Sequence, residues 1–138
     1  MNDILLALHL IGLMVGSGGG IGSATVMPIA AKAPPEQAAV LRALGPRFAR
    51  ISMIGLVLMW VTGVAMVALT YPLASMPTTF WVKIAFVLSL TVCAILVHVT
   101  YAQVKKGDAA AANRLPVLGP ISGASAFLAA IAAVFTFH

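Results

Sequence analysis

The fold is decided by the first hydrophobic stretch, Ile4 to Ala31, which reads ILLALHLIGLMVGSGGGIGSATVMPIAA. Its 28 residues exceed the roughly 20 that cross the hydrocarbon of a bilayer as a helix. We therefore predict a transmembrane helix that is overlong or tilted. His9 is the only ionisable side chain in the stretch, and such groups within a span are candidates for function. Alternatively, His9 only donates a hydrogen bond to a neighbouring helix.

Small residues recur at every fourth position of this stretch, as Gly12, Gly16, Gly20 and Ala24. In lipid this spacing allows two helix backbones to approach closely. At about 100° per residue, His9 falls on the same face as the glycines, so we expect that face to turn inward. A phosphate-binding loop is disfavoured because no strand precedes the glycines and the Lys-Ser/Thr pair of a P-loop is absent.

The composition indicates one membrane domain. Of the 138 residues, 62% are hydrophobic and only 8% are charged. The net charge of +5 does not indicate nucleic-acid binding, because the basic residues are few and lie between hydrophobic segments. The single cysteine, Cys93, can form no intramolecular disulfide and is interpreted as a small apolar residue.

Three further hydrophobic segments follow the first, and we predict an all-α integral membrane bundle of four transmembrane helices within a single domain, residues 1–138. The predicted helices cover about 4–31, 51–70, 80–104 and 115–137. Residues 32–50 predict an amphipathic loop with a short interfacial helix from Glu36 to Leu44. Prolines and glycines between Pro116 and Gly123 predict an irregular start to the fourth helix.

The basic residues predict the orientation of the bundle. Seven of the eight lie in the loops that join helices 1 to 2 and 3 to 4: Lys32, Arg42, Arg47, Arg50, Lys105, Lys106 and Arg114. Because positive loops stay in the cytoplasm, both termini are predicted on the non-cytoplasmic side. In a bacterium this is the periplasmic side of the inner membrane.

This topology predicts which polar side chains meet. His9 and Lys83, the eighth basic residue, lie near the outer ends of the first and third helices, and Met66 lies near the outer end of the second. Met76 and His138 are expected outside the membrane on the same side. Each also has a simpler interpretation: Lys83 reaches to the headgroups, Met66 packs in the core, and His138 belongs to a frayed terminus.

A haem bound by both His9 and His98 is not expected. His98 lies 15 residues beyond Lys83, which places it about 22 Å further along the helix, towards the cytoplasm. His9 and His98 therefore cannot both reach one iron atom.

Several short motifs carry a resemblance that covers nearly the whole chain. They are ALHLIG around His9, a basic entry and a Thr-Gly pair in the second helix (RFARISMIGLVLMWVTGVAM), FWVK at the start of the third, and a proline-led fourth helix. In this order they resemble the HemJ-type protoporphyrinogen oxidases and the related CopD-like membrane domains. The resemblance implies functional, catalytic positions at His9 and Lys83 and an association with haem b. The chain departs from that pattern in its glycine run, in Pro28-Ile29-Ala30 and at Ala94, where a histidine is expected.

Three functions follow as hypotheses. The first is an oxidoreductase of the HemJ type that binds haem b or a porphyrin near the outer face between helices 1 and 3. His9 would be its axial ligand or proton acceptor, Lys83 would pair with a propionate, and Met66 would line the cofactor site.

The second hypothesis is a copper-binding or copper-uptake protein of the CopD type, because thioethers and imidazoles suit Cu(I). Its candidate ligands are His9, Met66, Met76 and His138.

The third is a non-catalytic accessory subunit in a homodimer or a larger membrane complex, which packs through glycine and alanine seams. The fourth helix carries a second seam: Gly119, Gly123, Ala126, Ala130 and Ala133.

Overall fold

Long helices account for most of the chain. The computed structural model describes residues 2–70 and 73–137. The α-helices, in chain order, are α1 (Asn2–Lys32), α2 (Pro35–Arg42), α3 (Gly45–Thr70), α4 (Thr78–Lys105) and α5 (Leu115–Phe137). Short 3₁₀ turns, Leu73–Ser75 and Ala109–Arg114, precede α4 and α5. Four helices, α1, α3, α4 and α5, are long and apolar enough to cross a membrane, and the described ranges contain no strand. The predicted all-α membrane bundle is confirmed.

The second spanning helix begins earlier than predicted. Helix α3 starts at Gly45 and not at Ile51, because the amides of Arg47 and Phe48 already donate to the carbonyl of Leu44 at 3.0 Å. Pro46 does not prevent this, since the first turn of a helix needs no amide hydrogen there. The preceding short helix ends at Arg42, two residues before the predicted end at Leu44.

The end of α4 shows why the chain turns where it does. Gly107 has a φ of +105°, a conformation that glycine adopts without steric cost. The amide of Gly107 donates to the carbonyl of Val104, and the amide of Asp108 donates to the carbonyl of Gln103, both at 3.1 Å. This pair of bonds is a Schellman motif, which satisfies the last carbonyls of the helix and directs the chain back towards α5.

Helices α1 and α3 pack closely as an antiparallel pair through glycines. A Cβ atom placed on Gly12 would lie 3.0 Å from the carbonyl oxygen of Gly55, and one on Gly55 would collide with the backbone of Gly16. The hydroxyl of Ser52 donates to the carbonyl of Gly16 at 2.9 Å. The two backbones are therefore in direct contact, as small-residue seams allow in lipid.

The seam differs from the predicted one in its second half. Gly19 is buried against Ser52 and the carbonyl of Phe48, whereas Gly20 is exposed and has open space around it. Ala24 is exposed as well. The spacing of four residues drifts off the line of contact along a helix with 3.6 residues per turn, so the contact passes from Gly16 to Gly19 and not to Gly20.

Helices α4 and α5 form the second antiparallel pair. The hydroxyls of Ser89 and Ser125 are hydrogen-bonded at 3.0 Å, and Val87, Cys93 and Ala129 are buried in this half of the bundle. Each pair packs more extensively within itself than against the other pair.

A hydrogen bond and a packing contact join the two pairs. The indole Nε1 of Trp60 on α3 donates to the hydroxyl of Thr91 on α4 at 3.0 Å, and that hydroxyl donates in turn to the carbonyl of Val87 at 2.7 Å. Nearer the loops, the phenol of Tyr101 packs against Gly45. Both contacts are consistent with α3 and α4 running antiparallel.

The outer surface of the bundle is apolar along its length, and its two ends differ in charge. Large residues such as Met14 (73% exposed) and Phe127 (68% exposed) face outward, as lipid-facing helices require. One end, which we call the basic end, carries seven exposed cations: Lys32, Arg42, Arg47, Arg50, Lys105, Lys106 and Arg114. The other, which we call the terminal end, holds the start of α1 and the half-buried Lys83.

Candidate functional site

His9 makes a specific polar contact across the α1–α3 seam. Its Nδ1 lies 2.9 Å from the hydroxyl oxygen of Thr62, and Thr62 is only 3% exposed. The imidazole itself is half-buried, seven residues from the start of α1, or about 10 Å along the helix. The histidine thus lies inside the bundle near the terminal end.

The hydrogen bonds of Thr62 indicate the tautomer of His9. The Thr62 hydroxyl lies 2.7 Å from the carbonyl of Leu58 and 3.3 Å from that of Met59. Because a hydroxyl has one hydrogen, a Thr62 that donates to Leu58 must accept from His9. The imidazole then carries its proton on Nδ1 and leaves a lone pair on Nε2.

Gly63 makes room for the ring. A Cβ atom at this position would lie 3.3 Å from Cε1 of His9 and 3.7 Å from its Nδ1, so any larger residue would press on the imidazole. The Thr-Gly pair of the second hydrophobic segment therefore seats His9. The sequence identifies this pair as a motif but assigns it no role. The position of the pair on the inward face of α3 is the feature from which a contact with His9 could have been predicted.

Lys83 approaches the same region from α4. It is half-buried, and its ammonium is close enough to His9 for the two to interact electrostatically. One turn earlier on the same face, the hydroxyl oxygen of Thr79 is buried and has no hydrogen-bond partner in the part of the chain that the structure describes. Both His9 and Lys83 lie at the same end of the bundle, since α1 and α4 each begin there.

The methionines and the other histidines are distributed differently. Met66 is half-buried on α3, one turn beyond Thr62 and Gly63, and Met76 is half-buried just before α4. His98 is exposed near the basic end, as its distance from Lys83 predicted. His138 lies outside the described residues. Within residues 2–70 and 73–137, no group of three or more His, Cys, Asp or Glu side chains is arranged to hold a metal ion.

A family model matches almost the whole of this architecture, over residues 3–136. The chain belongs to the DUF2269 family. The family is described as predicted integral membrane protein, which agrees with the four apolar helices. For this DUF2269 protein, comparison with curated proteins gave no match. The comparison with solved structures gave none either.

Proposed function

We propose that this protein is an oxidoreductase resembling the HemJ type, which binds haem b between α1, α3 and α4 near the terminal end. The observation that supports this most directly is the hydrogen bond from His9 to Thr62. Histidines that ligate a metal usually donate their second ring nitrogen to a fixed acceptor, which orients the ring and raises its basicity. His9 has a fixed hydrogen-bond partner of this kind at Nδ1, and its Nε2 would be the atom that binds iron.

The surrounding side chains suit the rest of the cofactor. A lysine near the membrane interface is a good partner for a propionate carboxylate, and Lys83 lies within electrostatic range of His9. The buried hydroxyl of Thr79 offers a further hydrogen bond to an oxygen-bearing group. The chain's residues would thus supply one nitrogen ligand, one cation and one hydroxyl.

When bound, haem would supply one-electron redox chemistry. His9 would then bind the group through Nε2, Lys83 would hold an acidic substituent near the headgroups, and the apolar helices would exclude water from the site. With its proton on Nδ1 and its Nε2 lone pair engaged by the iron, His9 would act as a ligand and not as a proton acceptor.

The absorption spectrum tests the proposal. Protein produced with excess haem and purified in mild detergent is expected to show a Soret band. Its absorbance should correspond to about one haem per chain. His9→Ala should lose most of this band, while His98→Ala, which removes an exposed histidine at the other end, should keep it. Colourless wild-type protein, or equal loss in both variants, would refute haem ligation by His9.

Copper binding is the alternative that one observation favours. Met66 lies one turn beyond the residues that contact His9, which puts a thioether and an imidazole in the same region, and these ligands suit Cu(I). Elemental analysis of purified protein should then find about one copper per chain, reduced in Met66→Leu but not in Met14→Leu, whose methionine is exposed. Met76 and His138 stay further predicted ligands.

We also propose that the protein lies in the bacterial inner membrane with both termini in the periplasm. The clustering of seven exposed cations at the basic end supports this orientation, since such residues are retained in the cytoplasm. That the protein forms a homodimer or belongs to a larger complex stays a prediction. The α1 seam is occupied by α3 within the chain, so a partner helix would have to use the α5 seam, where Gly119 and Gly123 have open space around them.

A further inference from the structure

An open groove of about 370 Å³ lies between α4 and α5 at the basic end. Its walls are apolar, with Leu96 and Val99 from α4 and Val117 and Leu118 from α5. Arg114 lines the groove where the 3₁₀ turn meets α5. These four apolar side chains form a slot between the helices that is about one helical turn, or roughly 6 Å, long. A single cation lies next to this slot.

The polar end of the groove carries one exposed cation, Arg114. Asn113 lines it beside Arg114, and both side chains are exposed. The nearest acidic residue along the chain is Asp108, whose carboxylate already accepts a hydrogen bond from the amide of Ala111 at 3.2 Å. A guanidinium presents a fork of donors that matches the oxygens of a phosphate, and an amide adds a donor beside it.

We propose that this groove binds one anionic phospholipid, with its phosphate on Arg114 and Asn113 and the first part of an acyl chain between α4 and α5. Charge complementarity selects the occupant: a basic site next to an apolar slot, at the level where a spanning helix leaves the membrane, fits an acidic headgroup with its attached chain. A soluble anion would use the cation but not the slot. This site is separate from the one around His9, and it does not depend on the haem proposal.

Native mass spectrometry of the full chain in detergent tests lipid binding. Phosphatidylglycerol should bind with a stoichiometry of one, and phosphatidylcholine with the same acyl chains should bind at least five-fold more weakly, as expected for one well-placed cation near the membrane surface. Equal binding of the two lipids would overturn the proposal. Retention of inorganic phosphate alone at a comparable concentration would show an anion site and overturn the assignment to a lipid.

Two pairs of variants locate the site. Arg114→Gln should weaken phosphatidylglycerol binding about five-fold, whereas Arg47→Gln, which removes an exposed arginine of the same end from α3, should not. Val117→Trp should fill the slot and reduce binding, while Val57→Trp, on the exposed face of α3, serves as its control. Equal effects within either pair would show diffuse attraction to the basic end and refute a defined site. Because Val117 is 61% exposed, its replacement leaves the core intact.

Discussion

At the scale of single residues, Thr62 has two roles: its hydroxyl orients His9, and its side chain fills space in the core. A suitable replacement can remove the first role and keep the second. Thr62→Val keeps the shape and removes the acceptor for Nδ1, so the imidazole loses its fixed orientation. We expect haem affinity to fall about 10- to 100-fold and the free energy of unfolding to fall by about 0.6–1.7 kcal/mol, as for other interhelical hydrogen bonds in membranes.

Titration of haem into the purified protein, followed by its absorbance, measures the first effect. Thr62→Ser restores the hydroxyl while removing a methyl group, so it should recover most of the affinity. If Thr62→Val binds haem as tightly as the wild type, the hydrogen bond at 2.9 Å does not orient an iron ligand.

At the scale of helices, the α1–α3 contact is set by which glycines meet α3. A Cβ on Gly19 would lie 2.6 Å from the carbonyl oxygen of Phe48, whereas one on Gly20 would meet nothing within 4 Å. Gly19→Ala should therefore force the helices apart and destabilise the protein by about 1–3 kcal/mol. Gly20→Ala should be neutral or slightly stabilising, because alanine is a better helix former than glycine.

Thermal unfolding in detergent compares these two variants directly. A repeat of strictly four residues would give the opposite order, with Gly20→Ala the more damaging. The pair therefore distinguishes the contact seen in the structure from the one that the spacing alone predicts.

At the scale of the whole molecule, the orientation of the bundle is open to measurement because the chain has one native cysteine, and it is buried. In intact bacterial cells, Ser75→Cys at the terminal end should react with a membrane-impermeant maleimide. Ala110→Cys at the basic end should react only after the cells are permeabilised. Labelling of Ala110→Cys in intact cells, with Ser75→Cys protected, would reverse the proposed topology.

The local features of the fold could be predicted because they depend on runs of similar residues. Long apolar segments have few alternatives to a spanning helix, since unpaired backbone groups are too costly in lipid. The start of α3 was missed because Pro46, Arg47 and Arg50 are typical of a loop, yet the backbone bonds to Leu44 begin the helix there. The seam was half correct: Gly12 and Gly16 contact α3, and Gly20 does not.

The sequence by itself determined that this protein is a membrane bundle with cations at one end and a lone histidine in its first span, since hydrophobicity and charge act locally along the chain. Only the tertiary structure decided that His9 meets Thr62 and Gly63 and that Arg114 lines a groove. These pairings depend on the rotation and offset of one helix against another. Such relations are set by side-chain packing between segments far apart in sequence, and no local pattern encodes them.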